Sequence, residues 1–445
     1  MRRYSIALSV VGLLAVFGLS PAAEPEAGAR VETALYGNYR ISDQHQLGID
    51  RFIMDDGKDA MLISDYSTGV VRRLFPVTQE RFVMGPGFHT ATPAELTLTF
   101  VKDDGGAVTG VSLRDARGIE QFAQRVPLRS EAVSFQNTDA KLDGTLLVPP
   151  TQGPHPAIVL LHGSGPLNRY SFGPYPHFFT SLGFAVLIYD KRGTGNSSGT
   201  RVDASTGAAM KNSFYPDELV GDALAAMHLL QQRKDIDPQK IGFWGSSEGG
   251  MLTTQVAARA EEVAFAINSS GFMEPLWQTL RYQATAIPRS QGAAATKIEQ
   301  EVAFIDLWLS VARTGKGWDE FLRAQQQLTA AGQSWLFESR GPFTSLEQLR
   351  WDWDRVLTFD PLEALTKVHC PVLGVFGELD PLTPARRTAE NMSRVLTAAG
   401  NQDFTFKIFP QAGHSLAELP EKNRMAPGVF DTLRTWLHTR VQAAD

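Results

Sequence analysis

Apolar and polar positions follow two different rhythms along this chain. Between about residues 30 and 128 the apolar runs are short, β-leaning and bounded by turns, as in Ala60-Met61-Leu62-Ile63 and Val70-Val71-Arg72-Arg73-Leu74. The runs Glu95–Val101 and Val108–Leu113 flank Asp103-Asp104-Gly105-Gly106, a spacing that predicts a β-hairpin. No long helical period interrupts this stretch. Residues 30–128 are therefore expected to form a small all-β accessory domain, a barrel or a curled sheet.

From residue 129 to 445 the pattern becomes strands alternating with helices, the signature of a mostly parallel sheet covered on both faces. Ala157-Ile158-Val159-Leu160-Leu161 and Phe184–Tyr189 are continuously apolar, as buried central strands require. Further strands are expected at Lys240–Trp244, Val263–Ile267, Val372–Phe376 and Phe404–Phe409. Leu219, Ala223, Ala226, Met227 and Leu230 recur at three- and four-residue spacing and predict a helix over Pro216–Gln232. Residues 272–358 break the alternation with helical stretches at Glu301–Ala312 and Trp318–Ala331. A helical excursion of that kind reads as a cap inserted into the catalytic domain, over the strand ends.

The first 23 residues stand apart. Arg2 and Arg3 precede an apolar stretch from Ile6 to Leu19, and Ser20, Ala22 and Ala23 follow. That is the layout of a secretory signal peptide cleaved after Ala22 or Ala23. The stretch is short for a spanning helix, which needs roughly 20 residues, so export to the periplasm or beyond is expected without stable membrane insertion. An uncleaved anchor is the competing reading.

Composition changes this picture little. The chain has 445 residues, 43% hydrophobic and 20% charged, with a formal charge of -6, so wholesale disorder is excluded and no nucleic-acid footprint stands out. Cys370 is the only cysteine, so no intramolecular disulfide can form. Its place at the entry to an apolar run reads as a small hydrophobe, ahead of a reactive thiol. No H-E-x-x-H or paired Cys/His spacing occurs, so neither a metal nor a cofactor is implied. Gly193-Thr194-Gly195-Asn196-Ser197-Ser198-Gly199 lacks the G-x-G-x-x-G spacing of a dinucleotide site and reads as a turn.

The chemistry is carried by Gly245-Ser246-Ser247-Glu248-Gly249, which follows a strand and precedes a helical pattern. A tight strand–turn–helix of this type lifts the central serine clear of the sheet and aims the next backbone N–H at a developing oxyanion. Ser247 is thus the expected nucleophile and the Glu248 amide one oxyanion donor. A serine hydroxyl needs a base, and the base needs an acid to hold its tautomer. After Ser247 the histidines are His369, His414 and His438. His369 precedes a strand, at the wrong end of the sheet, and His438 lies in a terminal helical stretch. His414 follows the last strand on a loop and is the expected base. Asp380, in the loop after Val372–Phe376, is placed as the acid, with Glu378 the weaker alternative. Asp352, Asp354 and Asp360 read as surface or capping charges of the cap and its exit.

A second oxyanion donor is expected from Leu161-His162-Gly163-Ser164-Gly165, with the Ser164 amide first and Gly163 second. His162 reads as a structural brace of that loop. His45 and His89, lone histidines in turns, read as surface or packing residues.

Residues from about 130 to 440 resemble the α/β-hydrolase superfamily, nearest to bacterial esterases and dienelactone-hydrolase or serine-aminopeptidase-like members. The resemblance rests on His162-Gly163-Ser164-Gly165, Asp190-x-Arg192-Gly193-x-Gly195-x-Ser197, Gly245-x-Ser247-x-Gly249, Asp380 and Gly413-His414. It implies an α/β-hydrolase fold and a triad of Ser247, Asp380 and His414, with Ser164 and Glu248 as amide donors. The N-terminal β domain falls outside it.

The expected activity is hydrolysis of a small-molecule carboxylic ester through an acyl-enzyme. Trp277, Trp308, Trp318, Trp335, Trp351 and Trp353 either line an acyl pocket or pack the cap's own helices. A peptidase or amidase with the same triad is the alternative; it needs a cap site for a peptide end, such as a carboxylate for a free amine, and the sequence does not assign Glu274 or Glu301 to it. A binding protein with a vestigial hydrolase fold is the third reading, disfavoured by the intact constellation. Oligomeric state is not encoded in any of these patterns.

Overall fold

The computed structural model describes residues 33–54, 57–201, 215–332, 342–421 and 423–441. The expected signal peptide, residues 1–23, and Trp335 lie outside the described residues. No described helix is long and apolar enough to cross a membrane.

The β-rich first third closes on itself. Strands β1 (Gly37–Ser42), β2 (His45–Ile53), β3 (Asp59–Asp65), β4 (Val71–Pro76), β5 (Arg81–Met84), β6 (Leu96–Lys102), β7 (Val108–Asp115) and β8 (Glu120–Val126) form an antiparallel barrel, with β8 paired back to β1. Closure removes the open edges that an eight-strand meander would expose. The expected hairpin is β6–β7, in register from Leu96↔Asp115 to Val101↔Gly110. Alternate residues fill the interior, among them Tyr39, Ile49, Ile63, Leu98, Phe100 and Val111, all buried.

The second sheet has the order β16-β15-β14-β13-β11-β12-β10-β9. Its parallel members are β11 (His155–Leu161), β12 (Ala185–Tyr189), β13 (Ile236–Ser246), β14 (Ala266–Ser269), β15 (Val372–Gly377) and β16 (Phe404–Phe409). The antiparallel hairpin β9 (Arg129–Asn137) and β10 (Ala140–Val148) completes one edge. Periodicity did not announce that hairpin, because β9 carries mostly polar residues on an exposed edge. The fold class expected from the sequence is the one observed.

Helices α1 (Tyr175–Ser181), α2 (Asp217–Gln231), α3 (Glu248–Ala257), α4 (Leu276–Ser290), α5 (Ala295–Thr314), α6 (Trp318–Ala330), α7 (Leu346–Asp352), α8 (Leu362–Leu365), α9 (Ala385–Ala398) and α10 (Val429–Val441) fill the connections. One face of the sheet packs with α2, α3, α9 and the cap helices α4 to α7, and the other with α1 and α10. Barrel residues Leu62, Tyr66, Val71 and Phe88 belong to this second core. Tyr66 meets Phe178 of α1 and Phe430 of α10 edge-on, with centroids 5.2 and 5.3 Å away.

Two boundaries differ from the sequence reading. The helix after the Gly245–Gly249 turn begins at Glu248, where the helical pattern of the sequence predicts a start at Met251, because the turn leads straight into it. The strand expected at Val263–Ile267 is Ala266–Ser269, since ladder pairing with β13 starts at Phe243↔Ala266. It ends in Asn268 and Ser269, polar yet buried, where Asn268 Oδ1 accepts the Gly271 amide at 2.7 Å.

Candidate active site

The Gly245–Gly249 turn is built by steric necessity. A Cβ at Gly245 would lie 2.1 Å from the Gly249 carbonyl oxygen, and one at Gly249 would lie 2.1 Å from that of Leu161. Only glycine lets α3 start so close to β13 and β11. Ser247 itself adopts φ 57° and ψ -122°, a backbone conformation that a non-glycine residue takes at an energetic cost. Its amide donates to Ser269 O at 2.8 Å, and its carbonyl accepts from Met251 N at 3.2 Å, so the strained residue is held from both ends.

The other two expected members lie on loops at the same carboxyl edge of the sheet. Asp380 follows β15 and is buried; its Oδ2 meets His414 Nδ1 at 2.8 Å. Its Oδ1 accepts the amides of Leu382 at 2.7 Å and Thr383 at 3.0 Å. Three donors thus fix the carboxylate and leave His414 Nε2 as the free end of the ring. That nitrogen is buried and has no hydrogen-bond partner among the described residues. The His414 loop is seated tightly on the acid loop: a Cβ at Gly377 would be 2.2 Å from Gly413 O, and Leu379 N donates to Ala412 O at 2.9 Å. Thr383 Oγ1 donates to Ser270 O at 2.8 Å, linking the acid loop to the end of β14, beside the Ser247 turn.

Glu378 is displaced from this centre. Its carboxylate faces Arg386 at 3.2 Å, on an exposed surface. His369 sits before β15, at the opposite end of the sheet, and His438 lies in α10. Asp354 is exposed and Asp360 caps the turn into α8 through the Leu362 amide at 3.0 Å, whereas Asp352 is buried at the end of α7.

The loop after β11 holds Gly163 and Ser164 in the interior, with Ser164 2% exposed. His162 packs its ring against Phe172 and Tyr189, with centroids at 4.5 and 5.3 Å. Burial, aided by the Lys191 charge, pushes its pKa down to about 3, so the ring is neutral. A neutral ring wedged between aromatics braces the loop.

The Asp190-x-Arg192-Gly193-x-Gly195 segment is scaffolding. Arg169 grips Asp190 through Nε at 3.0 Å and Nη2 at 2.8 Å, and Arg192 grips Asp222 with two contacts of 2.7 Å. Gly195 has φ 57°, and a Cβ there would strike Asp190 Oδ2 at 2.5 Å. The glycines serve this turn.

Lys191, between those residues, was not singled out by sequence reasoning. It is buried, and its Nζ donates to Gly163 O at 3.0 Å and to Glu248 Oε2 at 2.6 Å. Tyr215 Oη donates to the other oxygen, Oε1, at 2.9 Å. A lysine two residues past the end of a buried strand, just after Asp190, was the available signal, but nothing local says which carboxylate it meets.

The cap is pinned to the acid loop. Tyr282 Oη donates to Asp380 O at 2.7 Å and Gln283 Nε2 to Leu382 O at 3.0 Å. Glu274, just before α4, receives Arg387 of α9 at 2.6 and 2.8 Å. Trp308 is buried against Phe343, and Trp318 stacks on Phe321, so these tryptophans pack the cap's own helices. Trp277, Trp351 and Trp353 also pack against the main core. Glu301 of α5 is 2% exposed, and burial raises its pKa to about 7 despite Lys297. Cys370 is half-buried, and burial raises its thiol to about 12, far from a reactive thiolate.

Residues 158–422 match the Alpha/beta hydrolase family. Esterase EstD of Thermotoga maritima is 32% identical over 38% of this chain, a match that spans 39% of EstD's own length. The quorum-quenching protein AidA of Acinetobacter baumannii is 23% identical over 60% of this chain and 84% of its own. Among solved structures, an esterase of Pyrococcus furiosus is similar with a TM-score of 0.44 at 14% identity, covering 71% of this chain and 90% of that one.

Proposed function

The chain belongs to the alpha/beta hydrolase family, and from that premise we propose that it is an exported serine hydrolase that cleaves carboxylic esters of small or medium acyl groups. The observation that carries this reading is the 2.8 Å contact between His414 Nδ1 and Asp380 Oδ2, made on loops beside the strained Ser247 turn. An imidazole oriented through Nδ1 has Nε2 available as a base, which is what a serine hydroxyl requires.

The steps follow from these positions. Ser247 Oγ attacks the acyl carbon as His414 Nε2 takes its proton, and the carbonyl oxygen becomes an oxyanion held by the Glu248 and Ser164 amides, with Gly163 the second choice in that loop. Collapse breaks the bond to the alcohol, which leaves with the proton from His414. Water then attacks the acyl-enzyme, gives a proton to His414, and Ser247 leaves with that proton as the acid is released. Asp380 stabilises the imidazolium in both halves. General-base action supplies about 10²–10⁴-fold, and each oxyanion donor a comparable factor.

Ester rather than amide cleavage is favoured by the state of the cap. A peptidase that grips a free amine calls for an accessible carboxylate, whereas Glu274 is occupied by Arg387 in a two-contact ion pair and Glu301 is buried. Export rests on the basic, apolar and small-residue layout of residues 1–23.

The test is mass spectrometry after treatment with a fluorophosphonate, beside a Ser247→Ala variant, followed by ester and peptide panels. One adduct on Ser247, absent from the variant, with turnover of esters, is the expected result. A folded protein that takes no adduct would overturn the reading, and selective turnover of peptides would move it to the peptidase alternative.

A further inference from the structure

We propose that Lys191 is a positioning residue that sets both oxyanion donors at once, through Gly163 on one side and Glu248 on the other. The inference rests on the serine-hydrolase reading above and adds to it the group that holds the oxyanion hole in shape.

The two proposed donors come from separate parts of the chain, the loop after β11 and the first turn of α3. The ladder between β11 and β13 ends at Leu161↔Gly245, short of both donors. Lys191 spans them. Its Nζ lies 3.0 Å from Gly163 O and 2.6 Å from Glu248 Oε2, and both side chains are buried, Glu248 completely.

The first contact acts through the peptide plane. Gly163 C=O and Ser164 N–H belong to one peptide unit, planar and trans, so they point in opposite directions. Drawing the carbonyl oxygen onto the ammonium turns the Ser164 N–H away from Lys191 and prevents the plane from flipping. That plane turns about ψ of Gly163 and φ of Ser164, and Gly163, without a side chain, offers little steric resistance on its side.

The second contact acts through a side chain. Glu248 supplies the other N–H, and its carboxylate is clamped by Lys191 on Oε2 and by Tyr215 Oη on Oε1 at 2.9 Å. The Ser247 carbonyl, which shares a peptide plane with the Glu248 N–H, is held by Met251 N at 3.2 Å. Residue 248 is thereby fixed in both backbone and side chain. A preorganised pair of donors stabilises the transition state without reorganising at the moment of reaction. The ammonium neutralises the buried carboxylate, which would otherwise oppose the developing oxyanion.

The variants are Lys191→Met, and Lys191→Met with Glu248→Gln, in the full chain. The double variant keeps the residue-248 amide and leaves no unpaired buried charge, so it separates folding from catalysis. Turnover of a p-nitrophenyl ester and affinity for a boronic acid, which mimics the tetrahedral adduct on Ser247, are measured beside the thermal midpoint. The expected result is a fall in kcat of about 10²-fold with KM within about twofold, the size of losing one oxyanion donor. Boronate affinity falls in parallel, in the double variant as well as the single. A folded double variant with wild-type kcat and boronate affinity would overturn the role of Lys191 while leaving the hydrolase reading intact. A wild-type protein that neither turns over esters nor binds the boronate would overturn the hydrolase reading, and this inference with it.

Discussion

The Met425 amide donates to the carbonyl oxygen of Gly69 at 2.7 Å, and this bond ties the segment that follows His414 to the N-terminal barrel. It is one of a set. Val71 N donates to Asn423 O at 3.1 Å, Asn423 Nδ2 to Pro86 O at 3.1 Å, and Arg424 Nη2 to Thr68 O at 2.9 Å. The segment then returns to His414 through Ala426 N on Leu416 O at 2.8 Å and Gly413 N on Ala417 O at 3.0 Å. The barrel thus braces the loop that carries the proposed base.

Gly69→Val tests that brace. Gly69 has φ 79°, a conformation that a β-branched residue adopts only under strain, and its Cβ would press Met425 O at 3.2 Å. A loss of about 1–2 kcal/mol of stability is expected, with a lower kcat in protein that remains folded. Thermal melts and ester turnover measure the two. Reduced stability with unchanged kcat would show that the barrel stabilises the fold without positioning His414.

Asp380→Asn tests the acid. Asparagine keeps the shape but cannot hold the imidazole in the tautomer that frees Nε2 as a base, so kcat is expected to fall about 10³–10⁴-fold with little change in KM. Glu378→Gln, by contrast, removes an exposed carboxylate that faces Arg386 at 3.2 Å, and is expected to leave kcat within about twofold. The reverse ranking of the two variants would transfer the acid role to Glu378.

Gly249→Ala tests the nucleophile turn. The added Cβ would sit 2.1 Å from Leu161 O, a backbone atom that cannot swing aside. Helix α3 must shift or the chain must unfold, at a cost of about 3 kcal/mol or more. Fluorophosphonate labelling and the thermal midpoint are both expected to drop. A variant with wild-type stability and labelling would mean that α3 tolerates displacement.

Glu301 makes stability depend on pH in the direction opposite to most carboxylates. Its folded pKa is raised to about 7 from 4.5 by burial, so the folded protein keeps a proton that the unfolded chain releases. Its contribution is most favourable below pH 4.5 and is lost as pH rises to 7. Glu301→Gln is expected to be more stable than the wild type by about 2 kcal/mol at pH 8, with the difference shrinking towards pH 4. Denaturant titrations at both pH values decide it, and a difference that does not change with pH would refute it.

Much of this molecule was legible along the chain because its signals are local. A strand running into Gly245-Ser246-Ser247-Glu248-Gly249 and a helix is a contiguous steric object, since the glycines are demanded by atoms only a few residues away or on the neighbouring strand. Ser247, Asp380 and His414 were expected on loops that leave the carboxyl ends of strands, and all three lie just after β13, β15 and β16. The apolar runs of β11 and β12 announced a buried parallel sheet by composition alone. The barrel's hairpin β6–β7 was visible for the same reason, an alternating pattern on either side of a turn.

What only the tertiary structure decided is which distant groups meet. Lys191 and Glu248 are 57 positions apart, and Arg424 and Thr68 are 356 apart. Periodicity reports which face of an element is buried, but it carries no information about the partner on the opposing element. Glu274 and Glu301 are both buried acids near the start of cap helices, yet Arg387 engages one and burial raises the pKa of the other. Closure of the barrel and its grip on the His414 loop likewise depend on pairing between strands and loops far apart in sequence. Hydrophobic patterning determines that such surfaces must pack, and their three-dimensional complementarity determines against what.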